Sequence, residues 1–163
     1  MIEQKRILAT SIPGPASQAL QQRKVAAVAA GVSTGLPVYV TEASGGILRD
    51  ADGNQLIDFG SGIAVTTVGN GNQRVIDAVT AQINDFTHTC FMVTPYEEYI
   101  LVAEALAELT PGTHEKRSAL FNSGSEAVES ATQLAKSYHR ARVIPGRTRF
   151  LYRKTVYHCT TLI

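Results

Sequence analysis

Charge, sulfur and long apolar runs are all scarce in this 163-residue chain. Charged residues make up 18%, against 44% hydrophobic and 7% aromatic, and the formal net charge is +1. So high an apolar fraction excludes a disordered chain, and so small a net charge argues against a nucleic-acid-binding module. Two cysteines exclude a disulfide scaffold. No apolar run reaches the length needed to cross a bilayer. The opening MIEQKRILAT lacks the uninterrupted apolar stretch of a signal peptide. These absences lead to the expectation of a soluble protein in a reducing, cytoplasmic setting, with no membrane partner and enough chain to bury a core.

Acidic residues are missing altogether after Glu129. Residues 1–136 carry nine cations against 14 anions, a balance of −5, whereas residues 137–163 carry six cations and no acid. Composition therefore shifts near residue 137, and the last segment reads as a basic tail. Pro145-Gly146 interrupts it, and two β-prone patches, Arg149 to Tyr152 and Thr155 to His158, flank the break.

What the chain does contain is an alternation of helical and extended patterns. The breaker-rich SIPGP at 11–15 precedes an Ala-, Gln- and Leu-rich helix over 16–30, with Gly31 as its stop. LPVYVT at 36–41 reads as a short strand. Residues 46–50 and 55–59 flank Ala51-Asp52-Gly53-Asn54, and Asp-Gly between apolar segments predicts a hairpin. A glycine-punctuated crossing segment, FGSGIAVTTVGNG, follows. Asn72 is placed to cap a helix running to Phe86, with Val75, Ile76, Val79 and Ile83 at helical spacing. A second helix is predicted over 96–109 and stopped by Pro111-Gly112. SALFN at 118–122 reads as a strand, followed by a Ser-Gly-Ser turn and a helix over 125–138. The order predicts an α/β architecture with a mainly parallel sheet.

The segment that carries chemistry is SALFNSGSEAVE, residues 118–129. A chain passing through a tight turn into a helix leaves backbone N–H groups pointing at one spot, and the helix dipole favours an anion there. Gly124 allows close backbone approach, while Ser123 and Ser125 add hydroxyls. Two readings stand at this level: a phosphate cradle, or a helix start that Ser123 merely caps. His88 and Cys90 have no second pair at ligand spacing, which points to a packed loop and no metal site. Phe91, Tyr96 and Tyr99 read as packing or subunit contacts.

FNSGSEAVESA resembles the cofactor-phosphate loop of the class III (omega-type) aminotransferases, which use pyridoxal 5′-phosphate. DADGNQLIDFGSGIAVTTVG resembles their N-terminal hairpin and crossing segment. FTHTCFMVTPYEEYILVAEALAELTPG resembles the region that follows, most closely in the 4-aminobutyrate branch. The likeness runs from about Ile12 to Tyr138. It implies the N-terminal part of a fold-type I α/β enzyme, incomplete: residues 1–70 as the helix and hairpin of the small domain, 71–136 as the start of the large cofactor-binding domain, and 137–163 as a divergent tail. It further implies that Gly124 and Ser125, with Ser123, contact the cofactor phosphate and that Ile63 lines the substrate pocket. Tyr157, in a Tyr-His-Cys echo of the family's Tyr-His-Gly motif, would stack on the pyridine ring.

Transamination needs a lysine that forms a Schiff base and an acid facing the pyridine nitrogen. In the family both lie beyond the span matched here. None of Lys5, Lys24, Lys116, Lys136 and Lys154 falls at the catalytic position. The resemblance thus implies a homodimeric enzyme that moves an amino group from an omega-amino acid to a 2-oxo acid. This chain would be a truncated portion, inactive and poorly soluble alone. Two alternatives are a non-catalytic fragment that pairs with a full-length subunit and a phosphosugar-binding domain.

Overall fold

The computed structural model describes residues 2–142, and contacts group the chain into two units, Met1–His88 and Thr89–Ile163. In the first unit, helix α1 (Pro15–Ala27) precedes strands β1 (Val40–Ser44), β2 (Ile47–Asp50) and β3 (Gln55–Ile57). A single turn, α2 (Ser61–Ala64), and helix α3 (Gln73–Asp85) complete it. The second unit holds helices α4 (Glu97–Leu109) and α5 (Gly124–Ala141).

The strands form one antiparallel sheet in the order β1-β2-β3. Ile47 pairs with Ile57 and Arg49 with Gln55, and Gly53 takes the left-handed φ of +84° that the Asp-Gly turn requires. Residue 7 extends the sheet beyond β3, exchanging both backbone bonds with Gln55. On the other side, Gly45 and Asn70 exchange backbone bonds of 2.8 and 2.9 Å. This brings Gly69 so close to Gly45 that a β-carbon on Gly69 would meet the Gly45 Cα at 3.3 Å.

Three expectations are corrected. The mainly parallel sheet is absent among the described residues, where every ladder is antiparallel. The strand expected at 36–41 begins only at Val40: Pro37 has no N–H to donate, and before Val40 the pairing is reduced to the Tyr39 carbonyl, which accepts from Ala51 N at 2.8 Å. SALFN at 118–122 forms no strand, having no neighbouring strand to pair with. Boundaries shift elsewhere. α1 leaves helical geometry at Val28, short of Gly31, since the exposed Val25 and Val28 offer the last turn no packing. The hairpin's second strand stops at Ile57, two residues early, and α5 continues one turn past Tyr138.

The interior of the first unit is polar. Its apolar members are Ile2 and Ile47, whereas Ser17, Asp50, Asn54 and Gln55 are all buried. Asn54 has no exposed surface and meets its hydrogen-bonding capacity: Oδ1 accepts from Ala9 N and Thr10 N, and Nδ2 donates to Thr10 Oγ1 and Asp50 Oδ2. Asp50 Oδ1 in turn accepts from the amides of Asp52 and Asn54. Asp52 reaches out of the hairpin turn to the start of α1, where its two oxygens accept from Ala16 N at 2.7 Å and Ser17 N at 2.9 Å. Gly14, the residue before that helix, has no side chain to do so. The Ser17 hydroxyl, set against this carboxylate at a geometry short of a formed bond, and the two amides hold the Asp52 carboxyl below its ordinary value of 3.8, against the upward pull of desolvation.

Asn54→Ala leaves buried partners unsatisfied and is expected to cost about 3 kcal/mol, read as a lower urea midpoint for the first unit. A carboxyl with a lowered folded pKa stabilises above its unfolded pKa, and that contribution fades as pH falls through the folded value. Asp52→Asn is therefore expected to melt below the unsubstituted chain at pH 7, with the gap closing on acidification below pH ~4. A gap constant with pH would show that the charge is not the cause.

Candidate functional site

Three helix starts carry exposed or remote caps, and the one after the Ser-Gly-Ser turn leaves two amides open. Ser123, extended at φ −146° and ψ 159°, precedes the helix, and its Oγ accepts from Glu126 N at 3.2 Å. Ala127 N donates to the Ser123 carbonyl at 3.1 Å. The amides of Gly124 and Ser125 then remain without a hydrogen-bond partner among the described residues. Gly124 is exposed and Ser125 half-buried, so both N–H groups and the Ser125 hydroxyl are open to a ligand. Glu126 in the first turn and His139 with Arg140 in the last complement the helix dipole along the 18 residues of α5. Ser123 thus caps the helix, as one of the two readings of this turn has it, and Gly124 and Ser125 keep open donors beside the cap.

These donors fit a phosphate group. Two adjacent free amides and a hydroxyl at a positive helix end supply hydrogen bonds without a cation. The segment before them, residues 115–121, has no ladder, but Leu120 N donates to Tyr99 Oη at 2.8 Å. Tyr99 lies in the first turn of α4, its ring stacked on Phe91 at 4.2 Å and 20°. Phe91 also meets Tyr96 edge-on at 5.4 Å. The aromatic trio packs, as its residue types suggested.

Ile63 lies in the first unit, on α2, and is 77% exposed. Ser61, Gly62, Ile63 and Ala64 have φ of 48°, 59°, 62° and 59°, four successive left-handed residues. That conformation costs a β-branched side chain roughly 1–2 kcal/mol. Asp58 offsets it, its Oδ1 accepting from Gly60 N at 3.0 Å and Ser61 N at 2.8 Å, while the Ser61 and Thr66 hydroxyls lie 3.0 Å apart. Asp58 was not singled out from the sequence, although an Asp two residues before a Gly is a turn signal. Tyr157, Lys154 and Cys159 lie outside the described residues.

Three of the described lysines serve local structure. Lys5 pairs with Glu3, Lys24 Nζ donates to the Val32 carbonyl and Lys116 Nζ to the Gly112 carbonyl. No group of three or more potential metal ligands occurs among the described residues, and none of their helices is long and apolar enough to cross a membrane.

Residues 28–163 match the class-III aminotransferase family, and the chain belongs to it; the matched span includes the basic segment. It is 63% identical over 137 residues to 4-aminobutyrate aminotransferase of Mycobacterium tuberculosis, covering 84% of this chain and 30% of that one. It is 40% identical over 121 residues to 5-aminovalerate aminotransferase DavT of Pseudomonas putida, covering 74% and 28%. The chain thus spans about 30% of the length of these relatives. Among solved structures, an (S)-enantioselective omega-transaminase from Thermomicrobium roseum superposes with a TM-score of 0.74 at 23% identity, covering 87% of this chain and 33% of that one. An omega-transaminase from Sphaerobacter thermophilus gives 0.68 at 29%, covering 78% and 30%. The fold is that of the N-terminal portion of a fold-type I transaminase.

Ser123→Ala removes the cap on α5 and is expected to cost about 1 kcal/mol, seen as faster amide exchange in the first turn, while Ser123→Asp retains protection. Equal exchange in both variants would show that the cap contributes nothing.

Proposed function

We propose that this chain provides the cofactor-phosphate cradle and part of the substrate side of a 4-aminobutyrate-type aminotransferase. The reaction of such an enzyme moves an amino group from an omega-amino acid to a 2-oxo acid. The observation that carries this is the open pair of amides at Gly124 and Ser125, within a segment closely similar to 4-aminobutyrate aminotransferases. Bound pyridoxal 5′-phosphate supplies an electron-withdrawing ring and an aldehyde that carries the amino group.

The chain's own residues bind and orient. Gly124 N, Ser125 N and the Ser125 hydroxyl hold the phosphate, while the Ser123 oxygen, taken by Glu126 N, fixes the turn that presents them. Ile63, displayed by the left-handed turn that Asp58 clamps, supplies apolar surface to the substrate's carbon chain. Tyr157 is assigned to the ring face. The proton transfers of the reaction need a lysine, a role to which none of Lys5, Lys24, Lys116, Lys136 and Lys154 is assigned.

The same reading includes a cytoplasmic homodimer. Support for the association comes from Val75, Ile76, Val79 and Ile83, an apolar stripe along α3 that stands 44–58% exposed, and from Ile100, Leu101 and Leu106 on α4. These faces also favour the second reading, a non-catalytic fragment that docks on a full-length subunit.

Pyridoxal 5′-phosphate is expected to bind at least about tenfold more tightly than pyridoxal, measured by equilibrium dialysis, with Ser125→Ala narrowing the difference. Equal affinity for the two would overturn the cradle. Tighter binding of a sugar phosphate would turn the assignment toward a phosphosugar site.

A further inference from the structure

We infer that Tyr99 is a positioning residue for the phosphate cradle, a role that lies outside the Ser123–Glu126 motif and rests on the reading of that motif given above. The chain entering the cradle has no strand to hold it. Residues 115–121 make no ladder, and Leu120 and Phe121 are exposed, so packing does not fix their path. A segment in that state is free to wander unless a bond from elsewhere holds it. The Tyr99 hydroxyl supplies that bond, taking the Leu120 N–H at 2.8 Å across 21 residues of sequence.

The hydroxyl is itself held in place. Tyr99 stands in the first turn of α4, which fixes its backbone, and the Phe91 ring lies against its face at 4.2 Å, which restricts its rotation. Phe91 sits in a turn closed by Val93 N and Thr94 N on the Cys90 carbonyl and by contact between the Thr89 and Thr94 hydroxyls. The sequence of supports runs from this turn to Phe91, to Tyr99 and to Leu120 N. Three residues further on, the Ser123 cap begins the helix whose first amides face the phosphate. Three residues span at most about 10 Å, so the anchor at Leu120 limits where Ser123, and the Gly124 and Ser125 amides that follow it, can stand. Aromatic residues 25–33 positions upstream of the Ser-Gly-Ser turn thereby help place donors to which they make no bond.

Tyr99→Phe deletes the hydroxyl and keeps the ring, and Phe91→Leu loosens the ring while keeping the hydroxyl. Both are expected to leave the helix content by circular dichroism unchanged. In each, the Leu120 amide should lose protection from hydrogen exchange, and the Gly124 and Ser125 amide resonances should shift. Affinity for pyridoxal 5′-phosphate should fall about three- to tenfold, the worth of one neutral hydrogen bond, with affinity for pyridoxal unchanged. Unaltered Leu120 exchange and unaltered Gly124 and Ser125 resonances in Tyr99→Phe would overturn the inference. If the unsubstituted chain does not prefer the phosphate-bearing ligand, the cradle reading fails. The exchange and resonance measurements still decide the anchor in that case.

Discussion

A buried side-chain amide holds the first unit together. Asn54 sits at the end of a hairpin turn and ties the incoming segment at Ala9 and Thr10 to the strand end at Asp50. Two apolar residues are the whole of the buried hydrophobic set among the described residues, too few to fix the sheet by packing. Directional bonds take over: Asp50 gathers the turn amides, and Asp52 caps a helix 36 residues earlier in the chain. Such a network is stable only when complete, because a half-satisfied buried amide costs more than an apolar one.

The helix starts answer the same need in different ways. Every helix start leaves N–H groups without partners. Asn72 and Ser123 cap their own helices from the preceding position, whereas α1 borrows Asp52 across the fold. At α5 the cap takes one amide and leaves two, and that remainder is the candidate phosphate site.

Much of this was legible in the chain itself. The Asp52-Gly53 turn, the Asn72 cap, the apolar spacing of α3 and the SGSE turn are local signals, set by φ preferences and side-chain reach over three or four residues. The parallel sheet and the strand at 118–122 were not realised because pairing is non-local: an apolar run states that it suits a strand, not that a partner exists. Tyr99 looked like packing, which it is, yet nothing near it in sequence indicates that its hydroxyl meets Leu120. The left-handed turn at Ser61–Ala64 shows the same limit, since its Ile63 and Ala64 prefer right-handed geometry.

The scarcity of acid after Glu129 remains a property of sequence alone, and the family match runs through that basic segment to residue 163. Sequence sufficed for the family, the hairpin and three of the helix starts, because each follows from a short motif with its own stereochemistry. Folding in three dimensions decided which backbone groups are paired and which stay open. Ser123 spends its oxygen on Glu126, Gly124 and Ser125 keep their amides, and Asp52, Asp58 and Tyr99 act on backbone that they reach through space. Hydrogen bonds of that kind join groups by proximity, and proximity between distant residues is not written in either of them.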